Sequence, residues 1–152
     1  MSSELRDLYQ TVILDHAKKP RNFGPLDGAT CEAEGRNPLC GDEVKVYARV
    51  AGDTVEAVGF EGSGCAISTA SASLMTQIAK GKSKAEIAAI FERFHDLVTG
   101  GASADPGDLA ALGKLEVLAG VREFPARVKC ATLVWHALLA ALERRDEPVS
   151  TE

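Results

Sequence analysis

The sequence predicts an α+β fold, a small antiparallel sheet of about three strands packed against several helices, and three observations carry that prediction. Val44-Lys45-Val46-Tyr47-Ala48-Arg49-Val50 alternates with period two and is followed, after Ala51-Gly52-Asp53, by a second valine-rich run from Thr54 to Phe60. Apolar residues recur at helical spacing in the first 18 residues and again in segments beyond Cys65. Strands thus come early and helices late, the order of an α+β unit rather than an alternating parallel sheet.

Taken in order, residues 4–18 place Leu5, Leu8, Tyr9, Val12, Ile13 and Ala17 on one helical stripe that begins after Ser2-Ser3 and stops at Lys19-Pro20. The stretch from Arg21 to Gly28 is dense in breakers and reads as an irregular crossing to a short strand at Ala29 to Ala33. A loop from Gly35 to Asp42 then delivers Cys40 to the hairpin. Glu61-Gly62-Ser63-Gly64-Cys65 ends the second hairpin strand, and Ala66 to Lys80 follows as a helix with Ile67, Ala70, Leu74 and Ile78 on its apolar side. Ser83-Lys84-Ala85-Glu86 is a capping box, so a further helix runs from about Lys84 to Leu97. Short helical pieces are expected at Pro106 to Leu112 and Lys114 to Ala119, then a loop from Arg122 to Lys129, and then a last helix beginning at Cys130. Residues 1–145 read as one domain and 146–152 as the end of a polar, frayed tail.

The 152 residues are 45% apolar, enough for an ordinary core without disulfide staples. A net charge of -5, from 17 basic and 22 acidic residues, argues against duplex nucleic acid as a partner. Met1 to Asp7 contains no apolar leader, and no run of about 18 apolar residues occurs, so the expectation is a soluble cytoplasmic protein. In a reducing compartment the four cysteines are ligands, nucleophiles or small buried hydrophobes before they are disulfides.

Cys40, Cys65 and Cys130 each sit where a loop meets a regular element, and Cys40-Gly41-Asp42 adds a carboxylate, a donor set that suits zinc or an iron-sulfur cluster. Cys65 and Cys130 are expected at helix starts, where unpaired N–H groups and the helix dipole favour thiolate. Gly41, Gly62 and Gly64 allow close backbone approach around the site, or simply make turns. Local spacing does not decide the matter. No Cys-x-x-Cys is present; Cys130 alone reads as buried filler and Asp42 alone as a turn residue. Cys31 lies in an extended segment without a companion at ligand spacing and is read as a non-ligand, while His16, His95 and His136 have structural or surface roles by default. Signatures of serine hydrolases, zincins, zinc deaminases, Walker loops and dinucleotide folds are missing.

An ordered set of motifs resembles the U-type iron-sulfur cluster assembly family, with its NifU N-terminal or IscU-like fold, and within it the SufU branch. The motifs are Leu8-Tyr9-Gln10-Thr11-Val12-Ile13-Leu14-Asp15-His16 with Pro20-Arg21-Asn22-Phe23-Gly24, Asn37-Pro38-Leu39-Cys40-Gly41-Asp42, Gly62-Ser63-Gly64-Cys65-Ala66-Ile67-Ser68, and Lys129-Cys130. The resemblance implies that Cys40, Asp42, Cys65 and Cys130 meet at an exposed tip and bind zinc, or alternatively ligate a transient [2Fe-2S] cluster. It implies a pyridoxal-phosphate cysteine desulfurase as partner, Cys40 as the acceptor of its persulfide sulfur, and downstream iron-sulfur carrier or assembly proteins as recipients. The activity is then a zinc-dependent sulfur transfer; a purely structural zinc module is the rival from another class. Two features differ from the scaffold-type branch: Lys129 stands where that branch has histidine, and Phe124-Pro125-Ala126-Arg127-Val128 stands in place of a Leu-Pro-Pro-Val-Lys chaperone-recognition stretch. Residues from about Gly101 to Val121 resemble the insertion of the SufU branch.

Overall fold

The computed structural model describes residues 3–37, 41–99, 115, 117–118, 121, 124–143 and 149–150. Helix α1 spans Ser3–Lys18, and strands β1 (Cys31–Asn37), β2 (Asp42–Ala51) and β3 (Thr54–Ser63) follow. Helices α2 (Ala66–Ala79), α3 (Lys84–Thr99) and α4 (Pro125–Leu142) come next, and β4 (Val149–Ser150) is last. The expected helical piece at Pro106 to Leu112 lies outside the described residues; of the one at Lys114 to Ala119, Leu115, Val117 and Leu118 are described, in 3-10 helical conformation, and with Val121 they are buried in the core.

The sheet order is β3-β2-β1-β4, with β2 central and antiparallel to both long neighbours. Period-two alternation sends Val44, Val46 and Ala48 of β2 into the core, and Val55, Val58 and Phe60 of β3 join them. The opposite face carries Glu32, Glu34, Lys45 and Arg49, with Lys45 paired to Glu32 at 3.5 Å and Arg49 to Glu56 at 3.3 Å. Helix α4 packs over β1 and β2 and α2 over β3, while α1 lies on α2 and α3 on α4. Trp135 of α4 is fully buried against Phe91 and Phe94 of α3, so helices and sheet share one core.

Two strands run longer than the sequence suggests. Expected at Ala29 to Ala33, β1 instead continues to Asn37, because Gly35, Arg36 and Asn37 pair with Val44, Glu43 and Asp42. Cross-strand pairing, which is non-local, overrides the turn preference of glycine and asparagine here. Asp42 is consequently the first residue of β2 rather than part of a loop. Val149–Ser150, expected in a frayed tail, adds a parallel partner to Gly35 and Arg36.

The breaker-rich crossing has a defined job. Gly24 N–H donates to the Phe60 carbonyl at 2.7 Å and Phe60 N–H to Asn22 O at 3.2 Å, so the crossing covers part of the β3 edge. His16 takes a structural role: it is buried, and its Nδ1 lies 2.7 Å from Ser73 Oγ, which also accepts from Arg21 N–H at 2.9 Å. These bonds dock α1 and the following turn on α2.

β3 leaves the sheet through Gly62, whose φ of +146° and surroundings require glycine: a Cβ there would stand 2.1 Å from Glu43 O and 2.9 Å from Val44 Cα. Both obstacles are backbone of the central strand. Gly62→Ala is therefore expected to cost about 3 kcal/mol, roughly 10 °C in melting temperature for a chain of this size. A thermal melt of the variant within about 2 °C of the parent would contradict that close approach.

Candidate metal centre

Asp42, Cys65 and Cys130 come from three separate elements, the start of β2, the N-cap of α2 and the second turn of α4. One ligand atom from each lies within 4.8 Å of the others. Two thiolates tetrahedrally bound at about 2.3 Å lie roughly 3.8 Å apart, so a metal ion needs the set to contract by no more than about 1 Å. Two sulfurs and a carboxylate oxygen are a donor set suited to zinc, which accepts both soft and hard ligands. Cys40, the fourth residue the sequence singles out, lies outside the described residues and stands two positions before Asp42 in the chain.

Local structure aims each group. Cys65 has extended backbone angles, φ −75° and ψ 171°, and its Sγ accepts from Ser68 N–H at 3.5 Å, so the sulfur takes the place of a capping oxygen at the positive end of α2. Cys65 N–H in turn donates to Asp42 Oδ1 at 3.1 Å, orienting a carboxylate that is only 2% exposed. Gly64 leaves room for it: a Cβ there would lie 2.8 Å from Asp42 Oδ1 and 3.1 Å from Ser68 Oγ. The glycines of Gly62-Ser63-Gly64 thus each allow a close approach, Gly62 to the β2 backbone and Gly64 to the Asp42 carboxylate.

Cys130 departs from its expected place. Helix α4 begins at Pro125, a residue suited to the first helical turn, and Cys130 is the sixth residue of the helix rather than its start. Cys65 therefore stands at a helix N-terminus and Cys130 does not. The fully buried Cys130 Sγ reaches the Ala126 carbonyl at 3.6 Å.

Arg127 stands beside both sulfurs. It lies three positions before Cys130, on the same side of α4, and its pKa is raised, first by the charge of Cys65, then by a hydrogen bond to it, with Cys130 contributing similarly. Its guanidinium is a positive charge close to both sulfurs. Sequence reading missed Arg127 as a member of the site; its signal was the spacing of three from Cys130, visible only once Pro125 is recognised as a helix start. Cys31, by contrast, sits in β1 with its Sγ 3.8 Å from the Ala48 carbonyl, and it is not in the cluster. His95 is exposed, and the half-buried His136 packs on Phe91 at 4.9 Å, its pKa lowered by burial and then by His95.

This is an α+β domain that gathers a carboxylate and two cysteine sulfurs, a group that could hold a metal ion, where the sheet meets the N-cap of α2 and the second turn of α4. The chain belongs to the NifU-like N terminal domain family, whose pattern matches residues 8–131. It is 45% identical over 145 residues to the zinc-dependent sulfurtransferase SufU of Bacillus subtilis, covering 95% of this chain and 96% of that one. It is 43% identical over 142 residues to the iron-sulfur cluster assembly scaffold protein IscU of Streptococcus pyogenes serotype M1, covering 93% and 87%. The fold superposes with a TM-score of 0.81 on the crystal structure of a candidate iron-sulfur cluster assembly scaffold protein for the SUF system from Fervidobacterium islandicum AW-1, at 35% identity and over 93% of this chain and 99% of that one. Among the described residues no helix is long and apolar enough to cross a membrane.

Proposed function

We propose that the protein is a cytoplasmic sulfur acceptor of iron-sulfur cluster assembly, taking sulfane sulfur from a pyridoxal-phosphate cysteine desulfurase and passing it to downstream carrier or assembly proteins. The observation that carries this reading is the convergence of Asp42, Cys65 and Cys130 within 4.8 Å. Zinc would be held by Asp42, Cys65 and Cys130 together with Cys40, a donor set of three thiolates and a carboxylate that suits it. Bound zinc supplies Lewis acidity that keeps the thiols deprotonated at neutral pH. Three thiolates and a carboxylate around a dication leave two negative charges, one of which Arg127 offsets.

The chain's own residues then divide the work. Cys65 N–H and the space at Gly64 hold the Asp42 carboxylate in place, and Cys65 Sγ caps the α2 N-terminus. Cys130 is fully buried and unavailable to a partner, so it serves as an anchor. Cys40 is the acceptor: its thiolate attacks the outer sulfur of the donor's cysteine persulfide, the donor S–S bond breaks, and the donor leaves as a thiolate while Cys40 carries the new persulfide. No net oxidation occurs.

The similarity to a cluster scaffold supports a second use of the same ligands, a transient [2Fe-2S] cluster as cargo. Alanine formation by a cognate desulfurase, with and without this protein, tests the first reading. Zinc-loaded protein is expected to accelerate turnover and chelated protein to do so poorly. An unchanged rate with zinc-loaded protein contradicts sulfur acceptance and leaves a structural zinc module, whereas a stable cluster after anaerobic reconstitution favours the scaffold.

A further inference from the structure

Helix α2 is built from small side chains, Ala70-Ser71-Ala72-Ser73 at its centre, and it packs between α1 and α4. Apolar contact is non-directional, and small side chains offer few knobs to stop two helices sliding along each other. Yet the site demands a defined axial register, because Cys65 caps α2 while Cys130 lies inside α4. A slide of one residue displaces one sulfur by about 1.5 Å relative to the other, comparable with the whole contraction that separates the present cluster from ligating distance.

Ser71 holds that register. A serine within a helix commonly satisfies its hydroxyl on its own helix, four residues back. Ser71 instead donates across the interface to the carbonyl of Ala131, at 2.6 Å, with both residues fully buried. Ala131 immediately follows Cys130, and Ser71 stands six positions, about 9 Å, along α2 from Cys65. Side chains tilt toward the N-terminus of their helix, and Cys130 Sγ lies within 4.8 Å of the Cys65 sulfur at the α2 cap. Carbonyl oxygens have two lone pairs, so Ala131 O accepts the serine in addition to its own helical partner. The bond is not needed to satisfy that carbonyl. Its effect is positional.

We propose that Ser71 is a positioning residue of the metal centre: its hydroxyl sets the axial register of α4 against α2, and through it the separation of the Cys65 and Cys130 sulfurs. The inference rests on the metal-binding reading of that cluster. Ser71 touches no ligand and takes no part in transfer.

The test compares the full chain with Ser71→Ala, Ser71→Thr and Ser73→Ala. Ser73 is a suitable control because it is equally buried and hydrogen-bonded but faces His16 and Arg21, away from α4. Each protein is titrated with Co²⁺, reading the thiolate charge-transfer and d–d bands, and its zinc affinity is measured against a chelator. Ser71→Ala is expected to shift the d–d envelope and to weaken zinc by about five- to tenfold, the scale of one hydrogen bond; Ser71→Thr, which keeps the hydroxyl, restores both. Ser73→Ala is expected to lower the melting temperature while leaving spectrum and affinity at parental values. An unchanged cobalt spectrum and zinc affinity in Ser71→Ala overturns the role of Ser71, as does an equal loss in Ser73→Ala, which would show general destabilisation. A parent protein that takes up neither ion overturns the metal reading and the inference with it.

Discussion

Cys130→Ala is expected to deprive the protein of tightly bound zinc and to lower its melting temperature by roughly 10 °C. The sulfur is fully buried among Asp42 and Cys65, so no solvent-exposed group can replace it without moving α4. A ligand present at about a thousand times its dissociation constant stabilises the native state by about 4 kcal/mol, and a chain of this size loses about 2–4 °C per kcal/mol. Full zinc sites in small peptides reach about 10–16 kcal/mol of apparent binding energy, so this figure is conservative. The control lies in the chelated proteins. Without metal, the substitution removes one buried sulfur atom and should cost only about 1 kcal/mol, so parent and variant should then melt close together. A variant that still holds one equivalent of zinc at parental affinity would contradict the assignment of Cys130 as a ligand.

Cys40→Ala is expected to have the largest effect on function, reducing stimulation of a desulfurase to background while part of the zinc affinity survives. Asp42, Cys65 and Cys130 keep their mutual geometry without it, since each is positioned by contacts to described residues: Cys65 N–H on Asp42, Ser68 N–H on Cys65, and the Cys130 sulfur over Ala126 O. The stability loss should therefore be smaller than for Cys130→Ala. Melting temperatures and turnover measured on the same preparations separate the two roles, and a Cys40→Ala protein that still accelerates the desulfurase would move the acceptor to another cysteine.

Local signals in the sequence were read well, and non-local ones less so. The capping box at Ser83 is present as reciprocal bonds, Glu86 N–H to Ser83 Oγ and Ser83 N–H to Glu86 Oε1, both at 3.1 Å, because every atom involved lies within one turn. Cys65 at the head of α2 was legible for the same reason. Strand β1 was cut short because Gly35 and Asn37 look like turn formers until β2 is beside them. Proline is at home in a first helical turn, but within Arg122 to Lys129 it looks like part of a loop, which puts Cys130 at a helix start and hides Arg127. The meeting of Asp42, Cys65 and Cys130 depends on how β2, α2 and α4 pack, which no spacing encodes; motif resemblance pointed to it, and the coordinates give its geometry.

The central claim, that this cluster exists to let Cys40 accept sulfur, is tested most directly by trapping the product. Zinc-loaded protein incubated anaerobically with a cognate cysteine desulfurase and cysteine, then alkylated and mapped by peptide mass spectrometry, should show one added sulfur atom on the peptide containing Cys40 and none on those containing Cys65 or Cys130. Added sulfur found only on Cys65 or Cys130, or on no cysteine of the chain while the desulfurase turns over, would contradict it.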